Sequence, residues 1–365
     1  MNILYDYQIF SSQRYGGISR YFCELITRIQ TNNRHATKIL APRYINKYLP
    51  EYHSLIVDGK LSNQPFKSQY LMNRWNDLLS LRHHVYSTTD VIHQTYYSKQ
   101  FPRKKPKVIT IHDMIPEKFP QETDRKSIIS ARKRYAITNA NHIICVSQHT
   151  RQDLMEIYNI PSEKVSVIYH GWEYSNQQTL NTSRANPPDR PYLLYVGQRD
   201  AYKNFTTLLK AYANDLYLRT NYQLICFGGR DFNHNEQKSF ENYKLTSNQI
   251  IRLEGNDSLL QQLYRHASVF VYPSHYEGFG MPILEAMSHD CPVACANTSS
   301  LPEVAGQAAA FFDANDIESI QNSIHKIINN ENYRNILIQA GKERLNHFSW
   351  DKCANETLDV YKQVL

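Results

Sequence analysis

The chain has 365 residues, 41% of them hydrophobic, with a formal net charge of +7 and a mean hydropathy of −0.57. This composition can fill the cores of two ordinary domains, and it excludes a short peptide module, a mainly disordered chain and a collagen-like repeat. No apolar run approaches the roughly 18 residues of a membrane-spanning helix.

The first half of the chain predicts alternating strands and helices. Ile3 to Tyr7 is typical of a buried strand, and the apolar positions from Ile18 to Ile29 repeat at helical spacing after a Gly-containing loop. Because strands separated by helices pair in parallel, we expect a sheet covered on both faces. Further strands are predicted at Lys38 to Ala41, Val91 to His93, Val108 to His112, Ile143 to Val146 and Val165 to Tyr169.

A polar, proline-containing segment, Tyr174 to Pro191, is the predicted linker to a second alternating series. The sequence therefore predicts two doubly wound domains, at 1–175 and 188–346, with a ligand site at the carboxyl ends of the strands, in a cleft between two facing sheets. We assign Asn46 to Lys67 and Phe232 to Thr246 to loops. In the second series, strands are predicted at Tyr192 to Val196, Leu224 to Phe227, Val269 to Tyr272 and Val293 to Ala296, and helices at Phe205 to Leu218, Leu259 to His266 and Pro282 to Ser288.

Two further patterns concern the start of the chain and its cysteines. Met1 to Phe10 contains no cationic segment followed by a long apolar stretch, so we expect no cleaved signal peptide and a cytosolic protein. The six cysteines form no C-x-x-C pair, which favours reduced, mostly buried thiols over a zinc site or a disulfide framework. They are Cys23, Cys145, Cys226, Cys291, Cys295 and Cys353.

Positive charge is concentrated in the first half of the chain. Residues 1–175 contain 24 Lys and Arg against 14 Asp and Glu, whereas residues 176–365 contain 17 against 20. Such a face indicates either an ordinary solvated surface or a contact with an anionic membrane or an acidic acceptor. No nucleic-acid-binding motif accompanies the charge, so no nucleic-acid partner is expected. The clusters are Arg103, Lys104, Lys105 and Lys107, and Arg132, Lys133 and Arg134.

The densest chemical signal lies in residues 272–285, which leave a strand, cross a Gly-rich loop and enter a helix. Gly278 and Gly280 allow the backbone to approach a ligand, and the helix start presents N–H groups that suit a phosphate or a sugar hydroxyl. Glu277 and Glu285 are expected to contact different parts of one extended ligand. We place Glu285 in the first helical turn, where a glutamate can also simply stabilise the helix dipole.

A second signal follows the strand that ends at Val196. Arg199 and Lys203 are four residues apart, and two fixed cations at the carboxyl end of a strand suit a diphosphate, although an ordinary polar turn is the alternative. In the first half, the adjacent Gly16 and Gly17 form a weaker candidate for a backbone anion site.

His112 and the absence of several catalytic motifs also bear on the function. His112 ends a predicted strand, where it is either a site residue facing the cleft or a structural histidine. No G-x-S-x-G, H-E-x-x-H, P-loop or G-x-G-x-x-G motif occurs, which argues against serine hydrolases, zinc proteases, kinase-like NTPases and dinucleotide oxidoreductases.

Together these stretches resemble glycosyltransferase family 4, a family of retaining enzymes with the GT-B fold, in which two Rossmann-like domains face each other across a cleft. The resemblance covers nearly the whole chain, and its most specific part is the Glu-x7-Glu element in E-G-F-G-M-P-I-L-E. The matching stretches are Tyr15 to Phe22, Val108 to Pro116, Ile143 to Leu154, Tyr195 to Asn204 and Pro273 to Gly306.

The resemblance implies a role for each candidate residue. Gly16 and Gly17 would approach the donor diphosphate from the N-terminal, acceptor-side domain. Arg199 and Lys203 would neutralise it from the C-terminal, nucleotide-sugar-binding domain, and Glu285 would hold the ribose hydroxyls. The transferred sugar would be held by Glu277, by the backbone of Gly278, Phe279, Gly280 and Met281, and by His112 from the opposite wall. The candidate catalytic residues are therefore His112, Arg199, Lys203 and Glu277.

The resemblance also implies a reaction and its partners. We expect a metal-independent transferase without other cofactors, which moves a hexose from a nucleotide sugar to a saccharide or lipid-linked acceptor in bacterial surface polysaccharide or lipopolysaccharide synthesis. GDP-mannose is the favoured donor because Y-G-G-I-S-R-Y-F resembles the opening of polysaccharide mannosyltransferases, and a UDP-hexose is the other. Retention would follow from same-face attack assisted by the leaving phosphate, or from a covalent intermediate on Glu277.

Further expectations concern the last helix, the location of the protein and the alternative functions. The resemblance implies a final helix, at about residues 350–365, that packs back on the N-terminal domain. A cytoplasmic location at the inner face of the membrane follows from the expected acceptor and the basic N-terminal half. The alternative functions are a non-catalytic nucleotide-sugar-binding protein, and an epimerase or a phosphorylase of the same fold.

Overall fold

The computed structural model describes residues 1–32, 35–52, 55–62, 69–81, 85–98, 105–121, 126–173, 188 and 190–365. The chain forms two compact units, one made of Met1–Gly171 with Phe348–Leu365 and the other of Trp172–His347. Most of the predicted linker, part of the predicted loop Asn46 to Lys67, and the basic residues Arg103 and Lys104 lie outside the described residues.

In the described part of the first unit, seven parallel strands form one sheet. The strands are β1 (Asn2–Asp6), β2 (Ala36–Tyr44), β3 (Val57–Leu61), β4 (Val91–Gln94), β5 (Lys107–Ile111), β6 (His142–Cys145) and β7 (Val165–Val167). The helices are α1 (Gln8–Ser12), α2 (Gly17–Asn32), α3 (Tyr48–Glu51), α4 (Gln69–Leu81), α5 (Val85–Thr88), α6 (Ile115–Lys118), α7 (Lys126–Asn139) and α8 (Gln148–Tyr158). The strand order is β3-β2-β1-β4-β5-β6-β7.

The central strands of this sheet are the ones that the sequence predicts, because their residues are buried on both faces. The loop prediction over Asn46 to Lys67 is wrong where β3 pairs with β2. This edge strand is half-buried or exposed throughout, and its apolar residues, Val57 and Leu61, are separated by Asp58, Gly59 and Lys60, so it lacks an apolar run. Gly59 is required there, since an added Cβ would lie 1.6 Å from the carbonyl oxygen of Ala41.

The second unit contains six parallel strands in one sheet over its described residues. The strands are β8 (Tyr192–Val196), β9 (Gln223–Phe227), β10 (Ile250–Leu253), β11 (Val269–Tyr272), β12 (Val293–Ala296) and β13 (Ala309–Phe312). The helices are α9 (Phe205–Asn214), α10 (Leu216–Asn221), α11 (His234–Asn242), α12 (Asp257–His266), α13 (Met281–Ser288), α14 (Leu301–Ala305), α15 (Ile317–Ile328) and α16 (Glu331–Leu345). The strand order is β10-β9-β8-β11-β12-β13.

Both orders run outward from the first strand of each unit in two directions, which is the doubly wound, Rossmann-like topology. The predicted α/β fold class is therefore confirmed. None of the helices in the described part of the chain combines the length and apolar character that crossing a bilayer requires. The six cysteines are buried and unbridged, as predicted.

Two predictions in the second unit, one of a helix and one of a loop, are wrong. The predicted helix Phe205 to Leu218 divides into α9 and α10, because Asp215 is extended (φ −100°, ψ 107°) and its side chain accepts a hydrogen bond from the Leu218 N–H at 3.0 Å. The predicted loop Phe232 to Thr246 contains α11. In the described structure none of the residues of α11 is buried, so it lacks the apolar period that would reveal a helix.

The chain ends in α17 (Trp350–Gln363), which belongs to the first unit and packs against α2. The hydroxyl of Tyr361 lies 2.9 Å from that of Tyr5 and 2.6 Å from Nδ1 of His93. At the start of the helix, the backbone of Gly171 passes so close to Trp350 that an added Cβ would lie 2.4 Å from it.

Candidate functional site

The candidate residues of the second unit lie where its sheet changes winding direction. β8 pairs with both β9 and β11, so the loops that leave β8 and β11 diverge at the carboxyl edge of the sheet. Arg199 and Lys203 follow β8, and Glu277 follows β11. Ligands of open α/β sheets bind at this crevice.

Lys203 and Glu277 form a direct ion pair. Nζ of Lys203 lies 2.7 Å from Oε1 of Glu277 and 3.5 Å from the hydroxyl of Tyr272. The backbone of Glu277 is fixed as well, because its N–H donates to Oγ of Ser299 at 3.0 Å and its carbonyl oxygen lies 2.9 Å from Oγ of Ser300. The structure thus brings together two residues that are 74 positions apart in sequence.

Arg199 is held on three sides. Its Nε donates to Oε1 of Glu236 at 2.6 Å, its Nη2 donates to the carbonyl oxygen of Arg230 at 2.5 Å, and its guanidinium lies 4.7 Å from the ring centroid of Phe232. The side chain is only 4% exposed. Its Nη1 is buried and has no hydrogen-bond partner among the described residues.

A glycine keeps the space beside that nitrogen open. Gly229 has φ +68°, and a Cβ added to it would lie 2.9 Å from the carbonyl oxygen of Gly197 and 3.0 Å from Nη1 of Arg199. A larger residue at 229 would therefore be strained and would crowd the guanidinium. Nη1 and its surroundings form a cradle that suits an anionic oxygen.

Glu236 is the functional candidate that sequence reasoning missed. It is the N3 residue of α11, whose N-cap is Asn233, and its Oε2 accepts from the Asn233 N–H at 2.7 Å while its Oε1 accepts from Arg199. The capping-box spacing of Asn233 and Glu236 was readable in the sequence, but the contact with Arg199 spans 37 residues and leaves no local signal. Arg199 and Lys203, the two cations predicted to bind a ligand, therefore each have a carboxylate partner.

The loop from Gly278 to Met281 leads into α13. Phe279 is buried, and its carbonyl oxygen lies 2.8 Å from Oγ of Ser300, the same hydroxyl that contacts Glu277. Gly280 has φ +108° and is the N-cap of the helix, a conformation that favours glycine. The N-terminal residues of α13 are Met281 and Pro282, so backbone N–H groups lie at the helix start.

The prediction that Glu285 lies in the first turn of its helix is wrong. The helix begins at Met281, so Glu285 is the fifth residue and the first turn contains no acidic side chain. Helix-dipole stabilisation therefore does not explain it. Its Oε2 accepts from the hydroxyl of Tyr264 at 3.1 Å, and burial together with this carboxylate raises the pKa of Tyr264 well above its ordinary value.

In the first unit, Gly16 and Gly17 lie at the start of α2. Around an added Cβ of Gly17 the described residues leave open space within 4 Å. The Gln13 side chain lies beside Gly16, and its Oε1 accepts from the Ser19 N–H at 3.2 Å. The amide oxygen of Gln13 therefore already accepts a hydrogen bond from one N–H group of this helix terminus.

His112 follows β5 and is buried among aromatic rings. Its ring centroid lies 5.1 Å from that of Tyr21 and 5.7 Å from that of His170. Burial, reinforced by the neighbouring His170 and His93, lowers the pKa of His112 well below its ordinary value, and burial lowers the pKa of His170 to about 3. Nε2 of His112 has no hydrogen-bond partner in the described part of the chain, so the ring is a neutral group with an unused nitrogen.

A buried carboxyl at the end of β1 was also missed. Asp6 accepts from the Thr95 N–H at 2.9 Å and from the Thr95 hydroxyl, and burial raises its pKa to about 7. A single Asp after a short strand is common in sequences, so its burial could not be read from the pattern.

The expected basic surface of the first unit needs correction. Lys133 is fully buried, and its Nζ lies 2.6 Å from Oε2 of Glu117 and 3.0 Å from the carbonyl oxygen of Asp113. Lys107 is buried within β5. Arg134 is exposed, with its guanidinium 4.8 Å from the ring centroid of Tyr158. Two residues of the predicted clusters are therefore structural.

No group of three or more His, Cys, Asp or Glu side chains in the described ranges is arranged to hold a metal ion. The polar groups at the carboxyl edge of the second sheet are instead two guanidinium or ammonium groups with their carboxylates. Such an arrangement can bind an anion through the cations and hydroxyl groups through the carboxylates.

Known proteins resemble this chain along its whole length. The family described as glycosyl transferases group 1 matches residues 176–344, and Glycosyltransferase Family 4 matches residues 15–174. O-antigen chain mannosyltransferase B of Escherichia coli is 29% identical over 95% of this chain and 96% of its own length. Two solved structures are similar in fold.

The first is a sucrose-phosphate synthase from Thermosynechococcus elongatus, with a TM-score of 0.76, 19% identity and coverage of 99% of this chain and 98% of its own. The second is Anabaena HepE in complex with UDP-glucose, with a TM-score of 0.72, 16% identity and coverage of 100% of both chains.

Proposed function

The chain belongs to glycosyltransferase family 4, and from that premise we propose that it is a retaining transferase that moves a hexose from a nucleotide sugar to a saccharide or lipid-linked saccharide acceptor. The observation that carries the proposal is the carboxyl edge of the second sheet, where Arg199 offers a buried, unused Nη1 and Lys203 is paired with Glu277. Bacterial surface polysaccharide is the proposed product, because the E. coli relative is an O-antigen chain mannosyltransferase.

The two cations are proposed to bind the donor diphosphate. Cleavage of the glycosyl phosphate bond leaves negative charge on the departing phosphate, and fixed cations in a desolvated site stabilise that charge without reorganising. Nη1 of Arg199 is already aimed by its other two nitrogens and is almost excluded from water. Because these side chains supply positive charge, we propose that no metal ion is needed.

Glu277 is proposed to bind hydroxyl groups of the transferred sugar. Its Oε1 already accepts from Lys203, which lowers its nucleophilicity and favours a binding role over a covalent intermediate. Attack from the face of the leaving phosphate, with that phosphate taking the acceptor proton, then accounts for retention. The backbone of the Gly278 to Met281 loop is proposed to line the same sugar.

Glu285 is proposed to bind the ribose of the nucleoside diphosphate, and Glu236 to act on its phosphates only through Arg199. The carboxylate of Glu285, oriented by Tyr264, suits the two ribose hydroxyls. Glu236 is proposed as a positioning residue, since it touches Arg199 rather than the ligand and fixes the direction of Nη1.

In the first unit, His112 is proposed as a hydrogen-bonding partner of a sugar hydroxyl. A neutral imidazole can accept or donate one hydrogen bond without adding charge to a site that must release a phosphate anion. Gly16 and Gly17 are proposed to offer backbone N–H groups to a phosphate, beside the Ser19 N–H that donates to Gln13.

GDP-mannose is the proposed donor. The mannosyltransferase relative supports it, whereas the fold neighbour HepE was solved with UDP-glucose, which keeps a UDP-hexose as the second candidate. The purified chain should be incubated with GDP-mannose and with UDP-hexoses, with and without saccharide acceptors and in the presence of EDTA, and the anomeric configuration of any product read by NMR.

The expected result is retained configuration and turnover in EDTA with one donor. The proposal fails if no sugar nucleotide is transferred or hydrolysed while Arg199→Ala and Glu285→Ala leave nucleotide affinity unchanged. Tight nucleotide binding without turnover over a broad acceptor panel would instead indicate a non-catalytic binding protein.

A further inference from the structure

Helix α4 of the first unit faces the protein with Met72 and with several polar side chains. Asn76 is fully buried, and its amide bridges both backbone groups of Arg43, accepting from the N–H and donating to the carbonyl oxygen at 2.9 Å each. Asp77 accepts a hydrogen bond from the hydroxyl of Tyr7. Because these polar groups are satisfied inside, the inner face of α4 is fixed without a hydrophobic stripe.

The outer face of the same helix is apolar. Leu71 is 54% exposed, Trp75 is 51% exposed and Leu78 is 58% exposed. These residues are spaced i, i+4 and i+7, so they form one stripe along the helix. A surface helix ordinarily presents charged side chains to water, so the amphipathic pattern of α4 is inverted.

The stripe is bordered by positive charge. Arg74 is exposed on α4 itself and directly precedes Trp75. Asp77 is the one acidic residue in the α4 sequence, and it is half-buried. The outer face of α4 therefore combines Trp and Leu with arginine and presents no exposed carboxylate of its own.

We propose that the α4 stripe, Leu71, Trp75 and Leu78, docks on an anionic lipid bilayer with the helix lying in the plane of the interface. Tryptophan is favoured at the headgroup level, leucine side chains bury in the acyl boundary, and each nearby arginine adds attraction to anionic headgroups. This inference goes beyond the transferase activity and does not depend on it.

The charge on the stripe favours lipid over a second copy of the chain. In a two-fold symmetric dimer the same patch faces itself, which would place both copies of Arg74 in one interface. Like charges at such an interface are unfavourable, whereas the phosphates of anionic lipids complement them.

Flotation of the purified full chain tests the proposal without donor or acceptor. Vesicles of phosphatidylcholine alone are compared with vesicles that also contain phosphatidylglycerol. We expect binding to the mixed vesicles, about 10-fold weaker for the double variant Trp75→Ser/Leu78→Ser and about fivefold weaker for Arg74→Ser. The matched control, Leu216→Ser/Ile336→Ser, removes two exposed apolar residues of the second unit and should bind like the wild type.

Quenching of tryptophan fluorescence by vesicles of brominated phosphatidylcholine and phosphatidylglycerol tests the same contact without introducing a polar side chain. The chain has three tryptophans, and Trp350 is buried. We expect quenching in the wild type that is lost in Trp75→Phe.

Three results overturn the proposal: equal flotation of the double variant and the wild type, absence of flotation with either lipid, or a wild-type dimer that the double variant converts to a monomer. Each would leave the transferase assignment intact, since no step of the assay involves nucleotide sugar.

Discussion

The two sheets share one winding order, but their carboxyl edges have opposite chemistry. In the first unit the edge carries buried histidines, and burial lowers the pKa of His93 and of His170 to about 3, so these rings are neutral. In the second unit the edge carries Arg199 and Lys203, each paired with a carboxylate.

This difference shows that chemistry is set by the side chains at the strand ends rather than by the fold. Burial without a counter-charge leaves a group neutral, and burial with a counter-charge keeps it ionised. This difference supports the proposal that Arg199 and Lys203 of the second unit bind an anionic group, and that His112 of the first unit bonds an uncharged hydroxyl group.

Removing a cation from the carboxyl edge of the second sheet should have the largest effect on activity. Arg199→Ala is expected to lower the rate of hexose transfer by about 10² to 10³, because a fixed cation at the developing phosphate charge is lost. Steady-state kinetics with the active donor measures this. Lys342→Ala, which removes an exposed lysine paired with Asp290 in the same unit, is the control and should be near wild type. Equal rates for the two variants would contradict the assignment.

The buried, uncharged groups of the first unit can be tested through the pH dependence of the free energy of unfolding. Burial raises the pKa of Asp6 to about 7, so between about pH 4 and 7 the folded chain holds a proton that the unfolded chain releases. Stability from this group is complete below the unfolded pKa and is lost as pH rises towards 7. Asp6→Asn should remove that loss.

The difference in the free energy of unfolding between variant and wild type should therefore grow by about 3 kcal/mol in favour of Asp6→Asn from pH 4 to pH 7. Denaturant titrations across this range measure it, and the histidine contributions cancel in the difference. A flat difference would show that the Asp6 carboxyl is ionised in the folded chain throughout.

The carboxylate partner of Arg199 provides a sharper test of positioning. Glu236→Ala should raise the KM for the donor about 10-fold with a smaller change in kcat, because Arg199 loses the group that aims it. Asn233→Ala removes the other half of the capping box and leaves Arg199 paired, so it should cost helix stability of about 1 kcal/mol without moving KM. If both variants raise KM equally, Glu236 acts only through the helix.

The smallest effect is expected at the proposed ribose site. Tyr264→Phe removes the hydroxyl that donates to Glu285 and should weaken nucleotide binding about fivefold, the equivalent of one hydrogen bond. Calorimetric titration of nucleoside diphosphate measures this. Tyr212→Phe, which removes a hydroxyl bonded to the carbonyl oxygens of Tyr222 and Gln249, is the matched control. Unchanged nucleotide affinity in Tyr264→Phe would contradict the proposal that Glu285, oriented by Tyr264, binds the nucleotide.

Much of the fold could be predicted because the central strands are short apolar runs buried on both faces. The elements that the sequence did not reveal have another kind of residue pattern. β3 is a polar edge strand, α11 has only exposed or half-buried residues, and the break between α9 and α10 depends on the side chain of Asp215 acting as a cap. In each case polar hydrogen bonds, not apolar spacing, determine the backbone.

The candidate site could be predicted in part for a related reason. Lys203 and Glu277 both follow strands, and parallel strands bring their carboxyl ends to one edge, so their proximity follows from topology. The pairing of Arg199 with Glu236 depends on a helix that was not predicted. The burial of Lys133 against Glu117 was missed because a run of three cations usually indicates a solvated surface.

The central claim, that the cations of the second unit bind a diphosphate, is tested most directly by comparing nucleoside diphosphate and nucleoside monophosphate affinities. Titration of the wild type and of Arg199→Ala with both nucleotides should show tighter binding of the diphosphate to the wild type and a loss of that preference in the variant. If Arg199→Ala keeps the full preference for the diphosphate, the guanidinium does not bind the phosphate and the proposed site is wrong.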